Sequence, residues 1–378
     1  MRTFFLGALV LSISAWIGGR QYYLKLNEKE QEAVFSEEQT RRKEADSLKN
    51  YLQKNLSKTQ YTYSVARIRA LEVSLFSSST IEQLIACKDH ESCLRFLTEH
   101  GWGGVDVPLN ADAILTREQE KIWETIREMQ VDMDVFDVLS YPNWFHNLKA
   151  AVKEVCTGKS GANIYFEGTP ISKEEMTRII REKDYQALPE NMREAASEAV
   201  DTLLHSGDGQ LCDVIIDRAT MEAILAAGKK SKAAIIRDYA ESTVAVANIK
   251  VAVRCCKTGK SLEFMKRAMA PCKTLNVERL AHAALVGLDA VMEYLNGAGY
   301  AEAAEALKES PSAFERWCDN RIIETIQPQK TNPFSVGPLV AYVIARQNEI
   351  KTVRIILTCK QNGLSDDSIR ERVREMYV

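Results

Sequence analysis

The tetrapeptide Thr-Gly-Lys-Ser occurs twice, at 157–160 and at 258–261, and it matches the end of a phosphate-binding P-loop. In that loop, backbone N–H groups and the lysine side chain hold the phosphates of a nucleotide. The loop also needs a glycine five residues before its Gly-Lys pair, but Lys153 and Arg254 stand there, inside predicted helices that no strand precedes. We therefore interpret Gly158 and Gly259 as helix C-caps and not as parts of a nucleotide site.

Other residue types that carry out chemistry are present but scattered. None of the five histidines has a metal-ligand partner at helical spacing, and none of the nine cysteines forms a Cys-x-x-Cys pair. Cysteines inside apolar helical stretches are typical of small buried side chains in a reducing compartment. The acid pairs Glu174-Glu175 and Asp366-Asp367 fall in the first turns of predicted helices, where they complement the helix dipole. We predict no catalytic residue, no cofactor and no metal site.

The composition indicates a helical globular protein. Apolar residues make up 46% and charged residues 27% of the 378 positions, and the net charge is −3 without a long block of one sign. This balance argues against a nucleic-acid partner, because such proteins usually carry a basic patch. Helix-forming residues dominate and prolines are few, so we predict an all-α fold. The only strand-like runs are short, at 213–216 and 162–166.

Helix starts are predicted where a hydroxyl residue precedes a Gln or Glu by three positions. Thr80, Thr116 and Ser172 have this capping-box spacing, with Gln83, Gln119 and Glu175 as their partners.

The strongest pattern is an internal repeat. The stretches NLKAAVKEVCTGK (147–159), NIKVAVRCCKTGK (248–260) and NEIKTVRIILTCK (348–360) share Asn, Val, a basic residue, Thr and Lys at equal offsets, and they begin 101 and 100 residues apart. The shared positions that we single out are Asn147, Val152, Lys153, Asn248, Val253, Arg254, Asn348, Val353 and Arg354. Each shared valine is followed three residues later by another apolar residue, which places both on one face of a helix.

The repeat predicts three similar helical units of about 100 residues, arranged around an axis so that the chain ends meet. Two interpretations of the repeated Asn and basic residues remain open. They brace equivalent junctions between helices, or they line a common surface that binds a partner. The predicted units are 56–165, 166–268 and 269–378.

Residues 1–55 form an extra N-terminal segment. Phe4–Ile17 is an uncharged apolar run that is short for a membrane span of roughly 20 residues and matches the hydrophobic part of a signal peptide. We expect that this segment results from a mis-assigned translation start, with the true start at position 56. The alternative is a signal or a membrane anchor.

Three stretches resemble a known family: YTYSVARIRALE (61–72), DVIIDRATME (213–222) and the whole C-terminal run from Gly337 to Val378. They are similar to the C subunits of the V/A-type rotary ATPases, whose eukaryotic counterparts are known as d subunits. The likeness runs from about Thr59 to Val378, and residues 1–55 have no place in it. It implies an all-helical protein with three similar domains in a funnel-like, pseudo-threefold arrangement.

The resemblance also implies a function. It points to a non-catalytic rotor component of the central stalk, peripheral to the membrane on its cytoplasmic face. Its partners would be the D and F subunits of the shaft and the membrane proteolipid ring, and indirectly the nucleotide-binding A and B subunits. Such a protein couples ATP chemistry to proton or sodium transport. The alternative is a helical scaffold that the N-terminal segment tethers to the membrane.

Overall fold

The computed structural model describes residues 61–159 and 164–378, and all of the regular structure in these ranges is helical. The first helices are α1 Thr62–Glu72, α2 Ser78–Ile85, α3 His90–Glu99, α4 Ala111–Glu128, α5 Asp137–Thr157, α6 Lys173–Glu182, α7 Glu190–Ser206 and α8 Gly209–Lys230. The remaining helices are α9 Ala234–Thr258, α10 Leu262–Ala268, α11 Val277–Val286, α12 Leu288–Gly297, α13 Ala301–Glu309, α14 Pro311–Ile326, α15 Gly337–Gln361 and α16 Asp366–Arg370. Short 3-10 helices occupy Met133–Phe136, Tyr185–Ala187 and Gln327–Thr331. The all-α prediction is confirmed for the described residues.

Neither of the two strand-like runs forms a strand in the described residues, in agreement with the all-α prediction. Residues 213–216 lie inside α8, because their apolar side chains fit the buried face of a long helix as well as they fit a strand. Of the second run, residues 164–166 form no strand, and positions 162 and 163 lie outside the described residues. The apolar run Phe4–Ile17 also lies outside them. Among the described helices, none is long and apolar enough to cross a bilayer.

The helix ends follow local side-chain chemistry. Ser172 caps α6 as predicted, because its hydroxyl accepts from the backbone N–H of Glu175 at 3.2 Å. The prediction was wrong for Thr80 and Thr116, which lie inside helices that Ser77 and Asn110 cap. Ser77 and Asn110 have extended backbone conformations just before the first helical turn, and an N-cap residue requires this conformation.

Gly158 and Gly259 end α5 and α9 in the left-handed conformation, at φ 67° and 61°. Both therefore act as the predicted C-caps, since glycine adopts this conformation without a steric cost.

The three copies of the repeat lie on the long helices α5, α9 and α15, and these helices run in the same direction. Helix α8 packs antiparallel to both α5 and α9, and α14 packs antiparallel to both α9 and α15. The directions follow from the pairs Lys153–Asp213, Lys149–Asp217, Lys260–Gln210, Lys250–Glu315, Thr325–Ser242 and Lys351–Asp319. Two further neighbours fix the other ends of these helix pairs: Gly228 of α8 lies next to Ala240 of α9, and Gly337 of α15 lies next to Gln329, which follows α14. Long helices and antiparallel return helices therefore alternate along the chain.

Helix α4 is the return helix that packs on α15, although about 200 residues separate them in sequence. Arg354 pairs with Asp112 at 3.4 Å, and Arg346, two turns earlier on α15, pairs with Glu118 further along α4 at 2.5 Å. The N-terminal helices thus complete the packing around the last long helix. The ends of the described chain meet there.

Residues 61–378 form one compact unit with three hydrophobic clusters. One cluster contains residues between 145 and 223, and a second contains residues between 245 and 318. The third joins the two ends, 65–139 and 323–377, and includes parts of α8 and α9. The three-unit division at 165 and 268 stays a prediction, as does its pseudo-threefold arrangement.

Candidate functional site

Asn147 lies in the middle of α5 and holds the backbone of the segment that follows this helix. Its Nδ2 donates to the Phe166 carbonyl at 2.8 Å and to the Thr169 hydroxyl at 3.1 Å. Its Oδ1 accepts from the Phe166 N–H at 2.8 Å. The side-chain amide therefore pairs with both polar groups of one peptide residue, as a neighbouring strand would.

Asn248 on α9 makes the same pair of bonds with Ala270. Its Nδ2 donates to the Ala270 carbonyl at 2.8 Å, and its Oδ1 accepts from the Ala270 N–H at 3.0 Å. Both residues are fully buried. Water cannot replace these bonds, so this amide is the one whose loss should cost most.

Asn348 on α15 makes only one of the two amide–backbone bonds that Asn147 and Asn248 make. Its Nδ2 donates to the carbonyl of Glu375 at 2.9 Å, and the N–H of Glu375 donates instead to Oδ1 of Asn320 on α14 at 2.9 Å. Two asparagines from neighbouring helices thus hold one residue of the C-terminal tail.

All three repeated asparagines therefore hold backbone groups from matching positions of the three long helices, Asn147 and Asn248 through two bonds to one residue and Asn348 through one. Each holds a backbone segment 19, 22 or 27 residues further along the chain. All three side chains are mostly buried, so they are poorly placed to contact a partner. This geometry supports the bracing interpretation over the partner-binding one.

The repeated valines are buried, one in each hydrophobic cluster. Val152 and Val353 are fully buried, and Val253 is 5% exposed. They join the clusters of residues 145–223, 65–377 and 245–318 respectively.

The repeated basic residues are not equivalent. Lys153 pairs with Asp213 at 2.7 Å, near the start of α8, and Arg354 pairs with Asp112 at 3.4 Å, near the start of α4. Arg254 is exposed and has no ion pair with the described residues, and Lys250 makes the contact to the return helix α14 instead. Exposed and partly exposed pairs of this kind contribute about 0–1 kcal/mol each, so they add little to the stability of the fold.

The structure also contains a buried charged network that the sequence does not reveal. Arg346 on α15 contacts Glu349 one turn later on the same helix, and it contacts Glu118 on α4. The exposed fractions are 8% for Arg346, 2% for Glu118 and 1% for Glu349. Charged residues are rarely this buried unless they are paired.

Every carboxylate oxygen in this network accepts a hydrogen bond. Glu118 Oε1 accepts from the N–H of Gly103 at 2.8 Å and from Lys121 at 2.7 Å, while Arg346 donates to Oε2. Glu349 Oε1 accepts from the N–H of Phe76 at 2.5 Å, and its Oε2 faces Arg346. The network therefore ties two loops of the N-terminal region, at Phe76 and Gly103, to the last long helix.

Aromatic rings cover the network. The Arg346 guanidinium lies 5.1 Å from the ring centroid of Trp102, and this ring stacks on Phe76 at 5.1 Å. Burial raises the pKa of Glu349, and the nearby Arg346 and the N–H of Phe76 offset this only in part. Each of its two oxygens accepts a hydrogen bond from a group of the protein, so the arrangement is suited to holding the structure together.

The C-terminal tail has its own anchor on α14. Asp319 pairs with Lys351 at 2.7 Å and with Arg374 at 2.7 Å. Burial opposes the ionisation of Asp319, but these two cations outweigh it and hold the pKa of that carboxyl below its ordinary value of 3.8. Beyond Arg374, the Tyr377 side chain is buried at 3% exposure. The last residues of the chain are therefore part of the folded body.

Comparison with known proteins identifies the family of this helical body. The family described as ATP synthase (C/AC39) subunit matches residues 64–372. The C subunit of the V-type sodium ATPase of Enterococcus hirae is 22% identical over 319 residues, which cover 82% of this chain and 97% of that protein. The C subunit of the A-type ATP synthase of Methanocaldococcus jannaschii is 24% identical over 345 residues, covering 82% and 85%. Because the family match spans most of the sequence, this chain belongs to the ATP synthase (C/AC39) subunit family.

Proposed function

We propose that this chain is the non-catalytic C subunit in the central stalk of a V/A-type rotary ATPase. In this role it receives the foot of the shaft formed by the D and F subunits, and it sits on the membrane proteolipid ring at the cytoplasmic face. It thereby transmits torque between the nucleotide-binding A and B subunits and ATP-linked ion transport. The observation that carries the proposal is the family match over residues 64–372, together with the coverage of 97% of the Enterococcus hirae protein.

The helix packing supports a mechanical role. A part that transmits torque must resist deformation, and close-packed protein interiors have low compressibility. Here each long helix packs against its return helix, and the asparagine amides of the long helices hold backbone segments 19, 22 and 27 residues further along the chain. The charged network and the Asp319 anchor hold the two ends of the described chain on the same body. We expect such a body to bend little under load, so that it transmits torque from one part to another.

The coupled ion and the direction of operation do not follow from the relatives. One relative is named as part of a sodium ATPase and another as part of an ATP synthase. In a rotary ATPase the ion binds to the membrane ring, so the proposal for this chain covers either proton or sodium coupling.

Purification from native membranes tests the proposal. The tagged protein is isolated after gentle solubilisation, and its companions are identified by mass spectrometry. We expect shaft subunits, proteolipid and both nucleotide-binding subunits. A tagged Val353→Asp variant, which should not fold, serves as the control for capture through the tag. Recovery of the wild-type chain alone, or with unrelated proteins, would contradict the rotor role and favour the tethered scaffold.

Coupling itself is tested in membrane vesicles. Vesicles from cells that lack this chain should retain nucleotide hydrolysis by the A and B subunits but lose ATP-driven ion uptake, and the wild-type gene should restore the uptake. Normal uptake without this chain would refute a role in torque transmission.

A further inference from the structure

Two cysteines of the N-terminal helices have their thiols in contact with each other. Cys87 lies in the irregular turn between α2 and α3, and Cys93 lies near the start of α3. The backbone N–H of Cys87 donates to the carbonyl of Leu84 at 3.3 Å, and the thiol of Cys93 donates to the same carbonyl at 3.5 Å. The two thiols are also hydrogen-bonded to each other. One carbonyl of α2 thus holds both cysteines in one place.

The two thiols differ in exposure. Cys93 is fully buried, whereas Cys87 is half-buried, so a small oxidant in the solvent reaches Cys87 first. Burial raises the pKa of the Cys93 thiol to about 12, and the adjacent Cys87 thiol adds to this shift. Cys93 is therefore inert towards reagents in solution, and it reacts only with a group that the fold places against it.

A buried cation stands beside the pair. The side chain of Lys360, on α15, is 7% exposed, and its ammonium donates to the carbonyl of Cys87 at 2.7 Å and to Asp366 at 2.8 Å. The charge of Lys360 lowers the pKa of the Cys93 thiol and so opposes part of the effect of burial. A cation near a thiol favours the thiolate, which is the reactive form of cysteine.

The other cysteines are not arranged in this way. Cys156 and Cys212 lie close enough to interact electrostatically, but they stand on two regular helices, α5 and α8. Cys255 and Cys256 are consecutive residues of α9, so their side chains do not face each other. Cys87 and Cys93 are therefore the pair that the structure prepares for a reaction between two thiols.

We propose that Cys87 and Cys93 form a redox modification site, which hydrogen peroxide converts into an intramolecular disulfide. The Cys87 thiolate attacks one peroxide oxygen, the O–O bond breaks, and Cys87 becomes a sulfenic acid while the other oxygen leaves as water. The Cys93 thiolate then attacks the Cys87 sulfur, the S–O bond breaks, and a second water leaves. Two electrons pass from the two sulfurs to the peroxide, and the two thiol protons end in the two waters.

The geometry favours the second step. Two groups that are already in contact within one chain react at a high effective concentration. The turn 86–89 between α2 and α3 is irregular, so Cys87 can make the small movement that a disulfide requires. In the reducing compartment that the sequence predicts, such a bond is transient and responds to oxidants. Since the carbonyl of Cys87 also binds Lys360, the bond acts where α2 meets the end of α15.

Peptide mapping of the oxidised protein tests the proposal. The reduced full-length protein is treated with hydrogen peroxide in thiol-free buffer, the remaining thiols are alkylated, and tryptic peptides are identified by mass spectrometry. Trypsin cuts after Arg69, Lys88 and Arg95, so the two cysteines fall in separate peptides, 70–88 and 89–95. We expect a disulfide between these peptides that forms at least about tenfold faster than any other and is reversed by dithiothreitol.

Two outcomes of this experiment would overturn the proposal. One is that Cys87 and Cys93 stay free after the peroxide treatment. The other is that links between Cys156 and Cys212, or between two copies of the chain, form as fast as the expected one. The experiment contains no partner proteins, so its result is independent of the rotor role.

Three variants test the roles of the two thiols. Cys93→Ser keeps a hydroxyl that can bond to Leu84 but leaves the sulfenic acid of Cys87 without a partner, so dimedone should label Cys87 severalfold more than in the wild type. Cys87→Ser should form no link and no dimedone adduct at the buried Cys93. Cys156→Ser is the control and should leave the link unchanged. Dimedone labelling of Cys87 that does not rise in Cys93→Ser would refute these roles. If a variant does not fold, the wild-type peptide map decides.

Discussion

Replacing Asn248 with alanine should destabilise the protein strongly, because two buried backbone groups would lose their partner at once. In the wild type, the N–H and the carbonyl of Ala270 both bond to the Asn248 amide, at 3.0 and 2.8 Å. Both residues are 0% exposed, so water cannot take over. A buried group left without a partner costs about 1–3 kcal/mol, which gives about 2–6 kcal/mol for the pair.

The corresponding change of Asn147 provides a matched control. Its amide makes equivalent bonds to Phe166, but Phe166 is 47% exposed, so water can reach the released backbone groups. We expect a loss of about 0.5–1.5 kcal/mol for Asn147→Ala, the net value of ordinary hydrogen bonds. The two variants remove the same atoms from the same position of the repeat, so the difference between them mainly reports the burial of the released backbone groups.

Urea titration followed by circular dichroism measures the change in the free energy of unfolding for each variant. The expected order is a much larger loss for Asn248→Ala than for Asn147→Ala. Equal losses, or a loss below about 1 kcal/mol for Asn248→Ala, would show that burial of the amide–backbone pair does not set its contribution.

Three further predictions concern the core, the tail anchor and a helix contact. Val353→Asp should abolish cooperative thermal unfolding, because an unpaired carboxylate in a fully buried position costs several kcal/mol; Val73→Asp, at an 86% exposed position, should leave the melting curve unchanged. Asp319→Asn should lower the melting temperature at pH 6, and the difference from wild type should shrink as the pH falls below about 4. The depressed pKa of this carboxyl gives a stabilisation that is complete above its ordinary value of 3.8 and is lost as the pH falls through the folded-state pKa. Gly228→Ala should destabilise the contact between α8 and α9, since the added methyl would lie 2.6 Å from a side chain of α9. Gly209→Ala in the same helix is the control, because its added methyl meets nothing within 4 Å. Differential scanning calorimetry should show a lower melting temperature for the first variant and an unchanged one for the second.

The sequence was sufficient for the features that depend on neighbouring residues. Helical periodicity predicted the fold class, and the glycine positions predicted the left-handed C-caps at Gly158 and Gly259. The capping-box pattern failed at Thr80 and Thr116, because the spacing also occurs by chance inside helices and the backbone before the helix decides which residue caps it.

The features that depend on distant residues could not be predicted. Arg346 and Glu349 have the spacing of an ordinary surface pair on a helix, and only the packing of α4 on α15 brings Glu118 to them and excludes water. The repeat pointed to Asn147, Asn248 and Asn348, but it did not show what they hold. Their partners belong to irregular segments without a common sequence pattern.

The joining of both ends of the described chain in one core has a consequence for synthesis. The cluster of residues 145–223 comes from one continuous stretch of the chain, and so does the cluster of residues 245–318. Each of them can therefore pack while translation of the rest continues. Helices α1 to α4 are made before the other described helices, yet α15, on which α1, α3 and α4 pack, begins only at Gly337. At about 5–20 residues per second, these four helices wait roughly 10–40 s with the apolar faces that pack on α15 unpaired. The first of the described helices to be made are thus the last to reach their native contacts, and they are the described helices whose exposed apolar surface a chaperone would find for the longest time.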